Sequence, residues 1–573
     1  MRAAANRLVA AVLALTGGFL PAAPAGSEPA ETDTVVSVVP GVTAPGYSVR
    51  YLAEPNPLNI TDGMAFDGNG GLFICLALVN GVVRLDLATG ELTTIADEFD
   101  AEPLQAPDDI ALGPDGNLYV TTLLGRNVVR MSPDGTNRQE IASNLGDGNS
   151  LPNAVAFNAE GRLFATDLSF ADPSHPGGLW EVDPAGVKPA IPVFRPMPGP
   201  NGFAFGPDGL AYIPQMGGGR IDVVNVDTHT VRTLVDGFGL LVSVKFDPED
   251  NLVTLETDTG KVWRVDRVSG ARTLLAQGEP GLDNMVIHPD GEIWVTNFAR
   301  GGLRRVNVVT GTLDPVLPDR ALTLPASISE TPDGSILVGD LTSVNLVRDG
   351  QPNRLSRLMI SDLQLVTPGA VQTGSDVYLS DFLPPNGRIF RLDMKTGKRE
   401  KVASGFGFPW TVREGAGGRL LVGDQALGAV FEVDPGTGST IPLVEGLISP
   451  SGLFYDRSRG VVYVSDTGGG RVLAVDLASR ISSVVASGLD GPEGVAVDRD
   501  GTLLVVEGDA GRLVRIDPAG GGRTEVASGL PTKTVGFGLP LMNYSSDVLV
   551  RADGRIVVSG PADASLIELT PRH

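Results

Sequence analysis

The sequence predicts an all-β chain, two tandem six-bladed β-propellers with four-stranded antiparallel blades. Three observations carry this. A unit of about 42 residues recurs twelve times along the 573-residue chain. Each copy holds four short stretches of alternating apolar and polar residues, parted by Gly-rich turns about every ten residues, which is a strand signature. Beyond the N-terminus no stretch shows sustained helical periodicity.

The unit is plainest in "PNGFAFGPDG", residues 200–209. A short alternating strand follows Pro-Asn-Gly and runs into a Pro-Asp-Gly turn. A second strand comes next ("LYVTT", "VVYVSD"), then a Gly-rich loop, a third strand ("GRLVRID") and a fourth ("RTEVASG"). The 74 glycines fit so many tight turns, since glycine adopts positive φ without cost. Rings close at about four to eight blades, so twelve copies divide into two rings of six.

The first ring is expected over 47–320 and the second over 321–573. Two spare strands precede the repeats, "TVVSVVPG" (34–41) and "YSVRYLAE" (47–54). The second is expected to close the first ring. The first is expected to reach the last copy, which ends after three strands at "SLIELTP", and so cover its open edge.

Ahead of these lies a segment with the features of a secretory signal, residues 1–25. Arg2 and Arg7 precede an apolar run from Leu8 to Leu20, and Ala23-Pro24-Ala25 resembles a cleavage site. Export to the periplasm or the cell exterior is expected, with no membrane insertion afterwards and a short extension over 26–46. Cys75 is the one cysteine, so no intramolecular disulfide forms. The net charge of −24 argues against nucleic acid and anionic membranes as partners, and leaves a small molecule or an extracellular or periplasmic ligand.

The position of Asn201 reads Asp62, Asp108, Asn153, Asn201, Val242 and Asp283 in the first six copies. In the last six it reads Ala326, Pro368, Trp410, Ser451, Glu493 and Ser546. The innermost strand of each blade starts at one rim of the central channel, so each set forms a circle around a mouth. Of five oxygen donors around the first mouth, three repel one another as carboxylates, and the set suits a hard divalent cation, Ca²⁺ above others. Asn and Asp also begin strands by bonding nearby amides, an explanation that predicts the same bias in the second ring, where it is missing.

The stretches "PNGFAFGPDGLAYI", "TDGMAFDGNGGLFI", "LDNMVIHPDGEIWVTN" and "GPEGVAVDRDGTLLVV" resemble gluconolactonase/regucalcin-like propellers of the senescence-marker-protein type and NHL-repeat propellers. They are similar also to paraoxonase-type lactonases. The resemblance implies that Asp62, Asn153, Asn201 and Asp283 hold a catalytic divalent metal, with Asp108 a further ligand and Asn284 matching an Asp-Asn pair. Two departures stand out. The family's first ligand, a Glu, is Asp62 here, and the blade of Val242 separates Asn201 from Asp283.

The function that follows is metal-dependent hydrolysis of a small lactone or ester in the first channel, with Asp108 or Asp283 as general base. His175, in the enlarged connection "DLSFADPSHPGG", is a candidate proton carrier. His229 and His288 are expected in turns on the opposite face. Asp167, Asp381, Asp424, Asp466 and Asp509, closing second strands in both rings, are expected to bond the backbone of neighbouring blades. A non-catalytic scaffold for protein or carbohydrate is the rival reading. A lyase stands third, for want of paired histidines.

Overall fold

A computed structural model describes residues 39–98, 100–146, 150–168, 177–317, 320, 322–348, 350–357, 368–382, 387–396, 398–520, 522–532 and 544–572. The signal-like segment 1–25, most of the strand expected at 34–41, His175 and most of "LPTKTVGFGLPLMNYSS" (530–546), a long insertion before the last copy, lie outside them. Among the described residues no helix is long and apolar enough to cross a membrane.

Strands form where the alternation placed them, in twelve four-stranded antiparallel sheets. We number these blades 1–12 by the chain order of their first strands. Blades 1–6 begin with Thr61–Phe66, Pro107–Leu112, Pro152–Phe157, Ala204–Phe205, Leu241–Phe246 and Leu282–Ile287. Blades 7–12 begin with Pro325–Glu330, Ala370–Thr373, Pro409–Glu414, Pro450–Asp456, Pro492–Val497 and Val548–Val550. The Pro-Asp-Gly turns work as the sequence suggests. Gly209 takes φ 76°, its N–H bonds the Gly206 carbonyl at 2.9 Å, and Asp208 Oδ1 accepts from the Leu210 N–H at 3.2 Å.

The chain falls into two compact units, Leu58–Asp319 with blades 1–6, and a second with blades 7–12. In each unit the first strands of successive blades touch one another, and the last blade returns to the first. Apolar residues pack between neighbouring blades. Met64, Leu72 and Ile74 of blade 1 meet Trp294 and Leu303 of blade 6 in one such cluster. Each large side chain buried there contributes about 1.5–3 kcal/mol.

Tyr47–Ala53 does not close the first unit, whose six blades each use four consecutive strands. It is the outermost strand of blade 12, paired antiparallel with Ser565–Pro571 from Tyr47↔Pro571 to Tyr51↔Ile567. The described residues before Leu58 therefore belong with the second unit, and the boundary expected at 47 moves to 58. The reason is local: blade 12 supplies only three strands from the C-terminus, leaving an open edge. Arg50 locks the pairing, its Nε donating to the buried Glu568 Oε1 at 2.9 Å.

The acids at second-strand ends are structural, with one correction. They bond the connection arriving from the preceding blade, not that blade's strands. Asp167 accepts from the Leu151 N–H at 2.9 Å, Asp424 from Phe408 at 2.8 Å and Asp466 from Ile448 at 2.5 Å. Asp381 pairs with Arg388. Asp509 falls beyond its strand, and Glu507 takes the role by accepting from the Asp490 N–H at 2.9 Å.

Candidate functional site

Five inner strands of the first unit carry their mouth residue at a break in register, and on blade 4 Asn201 precedes the inner strand, Ala204–Phe205. Thr61 pairs with Leu76 and Met64 with Ile74, so Asp62 and Gly63 lie in a bulge. The same shift frames Asp108-Asp109, Asn153-Ala154 and Asp283-Asn284. A bulge breaks the alternation that would send consecutive side chains to opposite faces. Two layers of residues therefore line the channel, where a regular strand would present one.

In the upper layer Asp62, Asp108 and Asp283 converge. Burial, then the charges of Asp108 and Asp283, hold the Asp62 carboxyl well above the usual carboxylate range. Burial and Asp283 also raise Asp108. Burial pushes Asp283 up to about 6. Asn153 Nδ2 donates to Asp108 Oδ1 at 2.9 Å, while Asn153 Oδ1 is buried and accepts no hydrogen bond. Asn201 is buried on the approach to blade 4, where its Oδ1 accepts from the Gly202 N–H at 2.7 Å. No hydrogen bond ties Asn201 to the three carboxylates.

The layer beneath is built around Asp109. Its Oδ1 accepts from Asn284 Nδ2 at 3.1 Å and from the Ile110 N–H at 2.9 Å, and its Oδ2 from the Val155 N–H at 3.2 Å. Asn284 Oδ1 in turn accepts from Ser243 Oγ at 3.2 Å. Burial raises Asp109, and the charge of Lys245 on blade 5, opposite in a ring of six, pulls it back. Neither Asp109 nor Lys245 emerged from the sequence reading. The position after each mouth residue reads Gly63, Asp109, Ala154, Gly202, Ser243 and Asn284, and its lone acid was the available signal.

The donor set suits a hard divalent cation in its chemistry. Three carboxylates face one another, and one amide oxygen beside them is unused. Carboxylates alone do not complete such a site, for no group of three or more His, Cys, Asp or Glu among the described residues is gathered to hold a metal. Amide oxygens and water would have to supply the remaining positions.

The second unit is different. Trp410 is buried beside Phe408 at 5.4 Å and Tyr544 at 6.2 Å between ring centroids. Among its described mouth residues Glu493 is the one acid, and in the layer beneath Arg413 pairs with Asp547.

Residues 414–537 match the family model described as an SMP-30/Gluconolactonase/LRE-like region. An L-arabinolactonase from Azospirillum brasilense is 29% identical over 143 residues, 23% of this chain and 46% of that protein. The matched stretch thus spans about half the length of that curated relative. Among solved structures, a streptogramin B lyase aligns with 51% of this chain and 95% of its own at 16% identity and a TM-score of 0.38. The extracellular domain of the one-component system BT4673 from B. thetaiotaomicron aligns with 89% of this chain and 70% of its own at 14% identity and a TM-score of 0.31. The family match falls on blades 9–11, in the unit that lacks the carboxylate collar. This chain of propeller blades carries an SMP-30/gluconolactonase/LRE-like region within its second unit.

Proposed function

We propose that the first unit hydrolyses a small lactone or ester with the help of a divalent cation, calcium by its donor chemistry. The observation that carries this is the meeting of Asp62, Asp108 and Asp283 at one mouth beside the unused Asn153 Oδ1. The lactonase-like match of the chain supports the reaction class. Asp62, Asp283, Asn153 and Asn201 are the ligand set, with Asp108 beside them.

A cation bound there would polarise the scissile carbonyl. To serve as a ligand, Asp62 gives up its proton. Asn153 holds Asp108 in place through Nδ2 and leaves its Oδ1 without a hydrogen bond. Asp108 or Asp283, at that mouth, would take a proton from water, the work of a general base. His175 remains a candidate for carrying that proton away. The reading includes export on the N-terminal segment.

The test is thermal melting with Ca²⁺ and with chelator, followed by turnover of small lactones and aryl esters, in the wild type, Asp62→Asn and Asn153→Ala. Expected are a Ca²⁺-linked rise in melting temperature and hydrolysis, both lost in the variants. Melting indifferent to Ca²⁺ and to chelator would overturn it. The second reading, a non-catalytic scaffold, would then stand, favoured by the family match lying in the unit with a single mouth carboxylate.

A further inference from the structure

One carboxylate touches the four strands that carry Asp62, Asp108, Asn153 and Asp283. Asp109 lies on the strand of Asp108, where its Oδ1 accepts from the Ile110 N–H at 2.9 Å. The same oxygen accepts from Asn284 Nδ2 at 3.1 Å, on the strand of Asp283. Oδ2 accepts from the Val155 N–H at 3.2 Å, on the strand of Asn153. Gly63, on the strand of Asp62, is so near that a Cβ would meet the Asp109 Cα at 2.4 Å and Oδ1 at 2.5 Å. Asp109 is 2% exposed, so water does not compete for these bonds.

The second unit separates what this acid does for the fold from what it does for the mouth. There Asp547 on blade 12 stands in the same relation to its neighbours. A Cβ on Gly494 of blade 11 would overlap it, its Oδ1 accepts from the Val548 N–H at 2.9 Å, and its Oδ2 from the Ile328 N–H on blade 7 at 2.8 Å. The remaining tie differs. Gly452 on blade 10, with no side chain, stands where blade 6 has Asn284, and Arg413 bonds Asp547 Oδ2 instead. Three contacts thus recur in both rings. The bond to Asn284 belongs to the ring whose mouth carries the oxygen donors.

We propose that Asp109 is the positioning residue of the first mouth, and that it sets the choice of cation there by fixing the spacing of Asp62, Asp108, Asn153 and Asp283. The inference rests on the metal reading of that mouth. Asp109 acts through its neighbours, because both its oxygens are taken up by Ile110, Asn284 and Val155. Ca²⁺ takes six to eight oxygens at about 2.3–2.6 Å, whereas Mg²⁺ demands a near-octahedral set at about 2.1 Å. Strands tied at one spacing cannot close on the smaller ion, so the collar favours the larger. Loosened strands lose that preference.

The test measures Ca²⁺ and Mg²⁺ binding to the full chain by melting temperature, with Tb³⁺ luminescence as a direct report on the site. The wild type is expected to bind Ca²⁺ more tightly than Mg²⁺. Asp109→Asn keeps the four donors and the size of the side chain, but cannot accept at both of its terminal atoms. It should weaken Ca²⁺ about tenfold and Mg²⁺ by less, which narrows the ratio. It should also admit water to bound Tb³⁺, shortening the lifetime in H₂O relative to D₂O. Asn284→Ala, which removes the tie to blade 6, should narrow the ratio too. Asp547→Asn, the same change in the other ring, should cost stability and keep the wild-type ratio. A wild type indifferent to both cations overturns the metal reading and this inference with it. The inference alone is overturned if the wild type binds Mg²⁺ as tightly as Ca²⁺, or if whichever of Asp109→Asn and Asn284→Ala folds keeps the wild-type preference. Equal narrowing in Asp547→Asn overturns it as well.

Discussion

Asn284 donates to Asp109 Oδ1 across 3.1 Å, joining blades 6 and 2 over the strand of blade 1. The bond passes where Gly63 has no side chain. A Cβ there would overlap the Asp109 Cα and come within 2.5 Å of its Oδ1.

Gly63→Ala therefore forces backbone apart at the centre of the first unit. It is expected to cost about 1–3 kcal/mol, as overpacking does, and to weaken any Ca²⁺-linked stabilisation by shifting Asp62 beside it. Denaturant unfolding with and without Ca²⁺ checks both effects. An unchanged midpoint in chelator would contradict the close approach.

Asp108→Asn separates repulsion from ligation. Without cation, one of three facing carboxylates disappears, and the new amide oxygen can still accept from Asn153 Nδ2. The variant is expected to be more stable than wild type in chelator, by about 1 kcal/mol, yet to gain less from Ca²⁺. Paired melting curves read the two opposite signs.

Glu493 makes stability fall as pH rises. Unfolded, its carboxyl loses its proton near 4.5, while burial first, then Asp509, keeps it protonated up to about 8 in the folded state. Between those values the native state holds the extra proton, so each unit of pH costs at most about 1.4 kcal/mol from this group. Its contribution is complete below the lower value and lost above the upper. Other buried acids slope the same way, so the difference between wild type and Glu493→Gln is the measurement. It should widen from pH 4.5 to about 8 in favour of the variant, then level off.

The N-terminal strand closes blade 12 more than Arg50 alone does. Arg50→Ala leaves Glu568 bonded to Arg555 at 2.9 Å, with Arg551 at 3.5 Å, and should cost about 1 kcal/mol or less. Deleting residues 39–57 bares the edge of Ser565–Pro571 and invites pairing between chains. Light scattering should then report oligomers that Arg50→Ala does not form.

The blades were legible in the chain because each is local. Alternation, Asp-Gly turns and a constant spacing specify four strands within some forty residues, and neighbouring copies pack as they emerge. That Asp62, Asp108, Asn153 and Asp283 meet at one mouth was legible too, once the copies were aligned on Asn201. What lay beyond the sequence was every relation between distant copies. Period-two alternation would send Asp109 away from the channel that Asp108 faces, and a bulge brings both in. Tyr47–Ala53 adjoins blade 1 in the chain yet belongs to blade 12, because an edge is satisfied by whichever strand reaches it and not by the nearest in sequence. Asp109 answers to Lys245, and Asp547 to Arg413, only when a ring of six sets opposite blades face to face.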